Sequence, residues 1–220
     1  MEKIDEKFYG RLKTRELTER QQNLLANLLP LVSVKSVSDI DLTGYSGGFL
    51  EIGFGGGEHL SQIALANPDK LFIGAEPFVN GVASLLTHID ENNIKNIRIF
   101  QEDARKLISE IQDGFLDGAF LLFPDPWPKR KHFKRRFVQE RMIHEIYRIL
   151  KQGSSWKIAT DHETYGKWIL KIFEKEPFFN MFSRELFDRN SRPSEEAWPK
   201  TRYESKATSE NIIYAVYTKV

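Results

Sequence analysis

The sequence predicts an α/β protein of the doubly wound, Rossmann-like class: a mostly parallel sheet with helices on both faces and an N-terminal helical extension. Three observations predict it. Short apolar runs alternate with helical patterns from Gly48 onward, which is the signature of repeated strand and helix units. Each run ends in a polar turn, and one leads through Gly53-Phe54-Gly55-Gly56-Gly57 into a helix starting near Glu58. The length of 220 residues, with 40% hydrophobic and 29% charged side chains, suits one core.

The elements follow in order. Residues 1–30 show no strand, and Leu17, Gln21, Leu24, Leu25 and Leu28 recur near helical spacing before Pro30, so 1–30 is expected to be a helical extension and 31–220 the main domain. Phe49 to Ile52 is the first strand, Leu71 to Ala75 the second and Ile97 to Phe100 the third. Between the last two, Val79, Val82, Leu86 and Ile89 mark a helix. Gly118 to Phe123 is the fourth strand, and Val138, Met142, Ile146 and Ile149 give a longer helix. Trp156 to Thr160 is a fifth strand, Trp168, Ile169, Ile172 and Phe173 another helix, 178–187 a sixth strand, and Ile212 to Tyr217 closes the sheet.

Composition narrows the function classes. The run Ala119-Phe120-Leu121-Leu122-Phe123 is far short of the ~18 residues of a membrane span. The charged opening Met1-Glu2-Lys3-Ile4-Asp5-Glu6-Lys7 lacks the apolar stretch of an export signal, so a cytoplasmic protein is expected. The absence of cysteine removes thiolate chemistry, and five histidines without an i,i+4 pair make a metal site an unattractive expectation. The net charge of +1 hides an asymmetry. Residues 129–136, Lys-Arg-Lys-His-Phe-Lys-Arg-Arg, hold six of the 32 basic groups and no acid, leaving 26 against 31 elsewhere, a net of −5. A polyanion would be gripped at one place.

In doubly wound sheets ligands lie beyond the carboxyl ends of the strands, where the connection order reverses. Gly53 to Gly57, Glu76, Asp103 and Asp125 all follow predicted strand ends and so share one rim. Gly53 and Gly55 let the backbone approach a ligand closely. The dinucleotide pattern G-x-G-x-x-G would require glycine where the chain has Glu58, and the carboxylates of Glu51, Glu58, Glu76, Asp103 and Asp125 would repel a pyrophosphate. A cationic cofactor without phosphate suits them, and S-adenosylmethionine is the candidate. Glu76, about twenty residues past the glycines, is placed for the ribose hydroxyls. Glu51 is placed for the methionine end, Asp103 for the adenine amino group and Asp125 beside the methyl. Any one of these acids is equally well explained as a helix cap; four on consecutive strand ends are harder to explain that way.

Pro124-Asp125-Pro126-Trp127-Pro128 follows the fourth strand. Three prolines in five residues stiffen the backbone and hold Asp125 and Trp127 at a set distance from the rim. The basic run begins at the next residue, so phosphates of a long substrate would lie beside the proposed site. Taken alone, Lys134 to Arg136 would be a solvated helix face.

With these motifs in place, the chain resembles the bacterial tRNA (guanine-N7)-methyltransferases, of the class I methyltransferase fold. The resemblance rests on Leu50-Glu51-Ile52-Gly53-Phe54-Gly55-Gly56-Gly57-Glu58-His59-Leu60, on Pro124 to Lys129 with the basic run to Arg136, on Ala159-Thr160-Asp161, on Thr201-Arg202-Tyr203-Glu204, and on a leading arm from Tyr9-Gly10-Arg11 to Gln21-Gln22. It departs from the family pattern at Ala75, Phe133 and Arg202-Tyr203. The resemblance implies methyl transfer from S-adenosylmethionine to N7 of a guanosine in the variable loop of tRNA, by a monomer or homodimer. It implies that Glu51, Gly53, Gly55, Glu76, Asp103 and Asp125 bind the cofactor, with Asp125 also catalytic. Lys129, Asp161, Thr201, Arg202, Tyr203 and Glu204 would bind substrate, and Lys131, His132, Phe133, Lys134, Arg135 and Arg136 the RNA. Guanine N7 has a lone pair and no proton, so its methylation needs no general base. The two adjacent donors on the other edge of guanine match a carboxylate, for which Asp161 and Glu204 are candidates; a helix N-cap and a surface salt bridge are their plainer explanations. Three alternatives remain at this point: a methyltransferase acting on a small molecule or another RNA, a non-catalytic RNA-binding protein on the same fold, and, more remotely, a nicotinamide oxidoreductase.

Overall fold

A computed structural model describes residues 15–175, 177–195, 198–200, 204–205 and 212–220. Among the described residues, seven strands form one sheet: β1 (Gly47–Ile52), β2 (Lys70–Ala75), β3 (Ile97–Phe100), β4 (Leu116–Leu122), β5 (Leu150–Thr160), β6 (Phe182–Phe187) and β7 (Ile213–Lys219). Their spatial order is β3-β2-β1-β4-β5-β7-β6. The first five are parallel, and β7 runs antiparallel between β5 and β6. The order reverses between β1 and β4, so the loops after those two strands flank the crevice where such sheets bind ligands.

The central strands are apolar on both faces because both faces are covered. Helices α5 (Ala104–Glu110), α6 (Glu140–Ile149) and α7 (Glu163–Phe173) cover one face, packing Leu107, Ile146 and Ile169 against Ile73, Leu121 and Ile158. The other face is covered by α1 (Glu19–Asn27), α3 (Glu58–Ala66) and α4 (Val79–Asn92), with Leu24, Leu60 and Leu86 against Phe72 and Ile99. A short helix, α2 (Leu29–Val32), follows α1.

The N-terminal helix forms as its pattern foretold. Thr18 caps α1 in a reciprocal box with Gln21 (3.3 and 3.2 Å), Leu24 is buried, and Arg20 reaches Asp90 and Glu91 of α4 at 3.0 and 2.7 Å. Those two pairs are exposed and add little; the apolar face does the docking. The arm from Tyr9 to Arg11 lies outside the described residues. The expected sixth strand, 178–187, is divided: Phe178–Met181 is a helical turn, α8, and only Phe182–Phe187 is strand. A short apolar run fits either state, and Pro177 at the cap position favours the turn.

Candidate active site

The loop after β1 is shaped by three glycines in the left-handed region, Gly53 (φ 69°), Gly55 (φ 55°) and Gly57 (φ 81°), conformations that a Cβ disfavours. Gly57 ends the loop as the N-cap of α3. A second requirement comes from α4: a Cβ on Gly81 would stand 2.2 Å from the Gly55 carbonyl oxygen, so the helix touches the loop because residue 81 has no side chain. Glu58, in the first turn of α3, folds back over the loop, its carboxylate oxygens 2.7 Å from where a Gly56 Cβ would lie. The helix start that would greet a phosphate is met by the chain's own anion.

Loop and turn open onto a cleft of about 840 Å³ whose wall includes Glu51, Glu58, Glu76, Asp103 and Asp125. The carboxylates expected on one rim are therefore together. Glu76 is oriented by two backbone N–H groups, Gly55 donating to Oε2 at 2.9 Å and Phe78 to Oε1 at 3.0 Å. Burial raises its pKa against the lowering effect of those two donors, and the charges of Asp125 and Glu51 add to the rise. Glu51, 3% exposed, is hydrogen-bonded to His59 at 2.7 Å. Asp103 caps α5, accepting from the Arg105 backbone N–H at 3.0 Å, and both its oxygens are also gripped by the Arg105 guanidinium. The helix-cap explanation is thus correct for Asp103 as well as its place on the rim.

The turn after β4 is strained. Phe123 (φ 51°) and Trp127 (φ 42°) both have positive φ, and each precedes a proline, which also disfavours such conformations. Asp125 is exposed between them, and no hydrogen bond or ion pair among the described residues involves it. Trp127 is flanked by the Arg135 guanidinium at 4.9 Å and by the His132 ring edge-on at 5.8 Å. Desolvation, then the charges of Arg135, Lys131 and Lys129, lower the His132 pKa.

The basic run is a 3-10 helix, Arg130–Arg135, beginning beside the turn. Lys129, Lys131 and Lys134 are exposed, and His132, Phe133 and Arg135 are half-buried. Arg136 differs from the expectation of an RNA contact: it is 2% exposed. Its Nε donates to the Pro126 carbonyl at 2.9 Å, and its guanidinium lies 3.7, 5.0 and 5.4 Å from the ring centres of Phe133, Tyr165 and Trp168. Arg136 is the C-cap just past the 3-10 helix, with extended ψ (φ −59°, ψ 139°), and its side chain packs inward on those three rings, so it has no face to offer a phosphate. Burial lowers the Arg136 pKa and raises that of Tyr165 well above the usual phenol range.

Asp161 follows β5. It is half-buried, no hydrogen bond or ion pair among the described residues involves it, and the cap position of α7 falls on His162, so the cap explanation fails for Asp161. Glu204 is 5% exposed. It accepts from Arg192 Nε, from Arg192 Nη2 at 3.1 Å and from the Tyr214 hydroxyl at 2.8 Å, a buried ion pair in place of the surface one considered above. Thr201, Arg202 and Tyr203 lie outside the described residues. Sequence reasoning missed His59, Gly81, Arg105 and Arg192. None of the four carried a usable signal in the sequence: His59 sits among Glu58, Ser61 and Gln62 in a polar helix start.

A family model described as "Putative methyltransferase" matches residues 47–214. A protein of Zymomonas mobilis named tRNA (guanine-N(7)-)-methyltransferase is 43% identical over 220 residues, covering 97% of this chain and 94% of that protein. One of the same name from Caulobacter vibrioides is 43% identical over 201 residues, covering 90% and 88%. Among solved structures, the 16S rRNA methyltransferase KamB superposes with a TM-score of 0.58 at 13% identity, covering 80% of this chain and 89% of that one; that likeness supports the fold alone.

Proposed function

The chain belongs to the tRNA (guanine-N7)-methyltransferase family, and from that premise we propose how its own residues divide the work. The reaction is transfer of a methyl group from S-adenosylmethionine to N7 of a guanosine in tRNA. The observation that carries the site assignment is the convergence of Glu51, Glu76, Asp103 and Asp125 on one cleft at the β1/β4 reversal, with the basic 3-10 helix at its edge.

The residues present fit S-adenosylmethionine. The cleft has the size of a small-molecule site, its wall is anionic, and the α3 terminus that a pyrophosphate would use is met by Glu58. When bound, this cofactor supplies an electrophilic methyl group on a sulfonium. Glu76 holds the ribose hydroxyls with the acceptor capacity that Gly55 and Phe78 leave over, and Glu51 holds the methionine ammonium. Gly53 and Gly55 bring bare backbone to the ligand. The Asp103 carboxylate is engaged by Arg105, so we assign it the shaping of the adenine end. Asp125 stabilises the positive charge that develops on the purine, and the proline-locked turn fixes its distance. Asp161, whose acceptors no described residue engages, takes the N1–H and amino group of guanine, and Glu204 is itself held by Arg192 and Tyr214. Lys129 and the segment Thr201 to Tyr203 contact the substrate, while Lys131, His132, Phe133, Lys134 and Arg135 face the RNA. We place the guanosine in the variable loop, and the enzyme in the cytoplasm as a monomer or homodimer; among the described residues no helix is long and apolar enough to cross a membrane.

Incubating the protein with unmodified tRNA and labelled cofactor, followed by nucleoside analysis, should yield 7-methylguanosine in fragments containing the variable loop. A different methylated nucleoside alone would overturn the substrate, and 7-methylguanosine in another fragment would overturn the loop placement.

Two further results are expected. Gly81→Ala should weaken cofactor binding by about tenfold or more, because overpacking of this size costs about 1–3 kcal/mol and the Gly55 carbonyl has to move; unchanged affinity by calorimetry would show that the contact is irrelevant. The raised pKa of Glu76 gives a sign for pH. Between the ordinary glutamate value and its own, the folded protein keeps a proton that the unfolded chain has lost, so this group's contribution to stability falls as pH rises through that window. Hydroxyls bind the ionised form, so cofactor affinity should rise with pH across the same window, with proton release seen by calorimetry in buffers of different ionisation heat. A pH-independent affinity would contradict it.

A further inference from the structure

A carboxylate as buried as that of Glu51 is costly unless its acceptors are used. The chain supplies one donor from nearby: His59, the second residue of α3, with Nδ1 at 2.7 Å from Oε2. Both side chains are almost fully buried, 1% and 3% exposed, and both line the cleft. The other ring nitrogen, Nε2, is buried with no hydrogen-bond partner among the described residues, and the ring stands edge-on to Phe120 at 4.9 Å between centres. The sharp reversal at Gly57 folds the start of α3 back onto β1 and makes the pair possible.

An ionised carboxylate only accepts, so the hydrogen between the two side chains belongs to Nδ1, and a neutral ring then presents a lone pair at Nε2. The other tautomer would oppose a lone pair to the carboxylate and strand a buried N–H beside Phe120, the more costly arrangement. A doubly protonated ring would leave the same Nε2–H buried without an acceptor among the described residues, so the helix partner of Glu51 is a neutral donor, which orients the carboxylate without cancelling its charge. An arginine or lysine at residue 59 would cancel it and leave less for a cation in the cleft.

We propose that His59 is a positioning residue for cofactor binding: it donates from Nδ1 to Oε2 of Glu51 and so keeps the charge and remaining acceptor positions of that carboxylate for the ammonium of the methionine moiety. This rests on the assignment of Glu51 made above. A merely structural pair, tying α3 to β1, would affect all ligands of the cleft alike, whereas a positioning pair affects those that carry the ammonium.

The test compares two ligands by calorimetry: S-adenosylhomocysteine, which has the amino-acid end, and 5′-methylthioadenosine, which lacks it. His59→Leu should weaken S-adenosylhomocysteine by about 10- to 100-fold, the worth of a hydrogen bond to a charged group, and leave 5′-methylthioadenosine within about twofold. His59→Asn, whose amide N–H can replace Nδ1–H, should recover most of the loss. Equal weakening of both ligands, or no weakening of the first, overturns the proposal. A readout on the unaltered protein covers the case in which His59→Leu does not fold. The 15N imidazole signals of His59 should show the Nδ1–H tautomer and move on adding S-adenosylhomocysteine but not 5′-methylthioadenosine; an Nε2–H tautomer, or a signal that ignores both, overturns the proposal. If the wild-type protein binds neither ligand, the cofactor assignment falls and this inference with it. If it binds both and the His59 variants behave like wild type, only the inference falls.

Discussion

Asp125→Asn is expected to slow methyl transfer by about 10²- to 10³-fold, the usual cost of removing one preorganised electrostatic group from a transition state, while S-adenosylhomocysteine binding stays close to wild type. The side chain is exposed and no described residue pairs with it, so no folded-state bond is removed and stability should hardly change. Its backbone is another matter, because the strained Phe123 and Trp127 on either side hold the site whatever residue 125 is. Asparagine keeps the shape and removes the charge, which isolates the electrostatic effect. The Asp125 charge also helps to raise the Glu76 pKa, so in the variant Glu76 should ionise at lower pH and the pH dependence of cofactor affinity should shift the same way. Single-turnover rates with saturating tRNA give the first result, and calorimetry across pH the second. Wild-type turnover would remove Asp125 from catalysis.

What could be read from the sequence divides along physical lines. Strand ends were legible because a buried parallel strand has to be apolar to its last residue and the turn after it has to be polar, which by itself places Glu76, Asp103 and Asp125 on one rim. The glycine loop was legible because positive φ is written as glycine. Contacts that depend on a neighbouring element's rotation were not. Gly81 reads as an ordinary helix residue, and only the packing of α4 against the Gly55 carbonyl gives it a role. His59 could be weighed only as a metal ligand, since nothing in its spacing from Glu51 says that α3 turns back on β1. The Arg192–Glu204 pair joins two stretches without periodicity, so neither partner could be assigned. The basic run misled in one place. Counting charges treats Lys134, Arg135 and Arg136 alike, and it takes the packing of Phe133, Tyr165 and Trp168 around the last of them to separate them.

That separation makes Arg136→Met the sharpest test of how the turn is held. A guanidinium over three rings at 3.7–5.4 Å gains about 2 kcal/mol when desolvated, and its bond to the Pro126 carbonyl about 1.5–3 kcal/mol. Against this stands a desolvation cost of several kcal/mol for a buried ion, and Nη1 and Nη2 are buried without hydrogen-bond partners among the described residues. These contributions nearly cancel, and methionine retains much of the packing, so stability should change by no more than about 1 kcal/mol. The turn, however, loses the donor that holds its Pro126 carbonyl, one residue from Asp125. Misplacement of a reacting group by about 1 Å can cost about 10²-fold, and kcat should fall by about 10- to 100-fold at saturating tRNA. Because Arg136 faces inward, the salt dependence of tRNA binding should be unchanged. Lys131→Ala with Lys134→Ala should do the reverse, lowering the slope of log affinity against log salt by about 0.7–0.9 for each phosphate no longer neutralised while sparing kcat at saturation. A reduced salt slope in Arg136→Met would return that arginine to the RNA surface, and an unchanged kcat would mean that the prolines alone suffice to hold the turn.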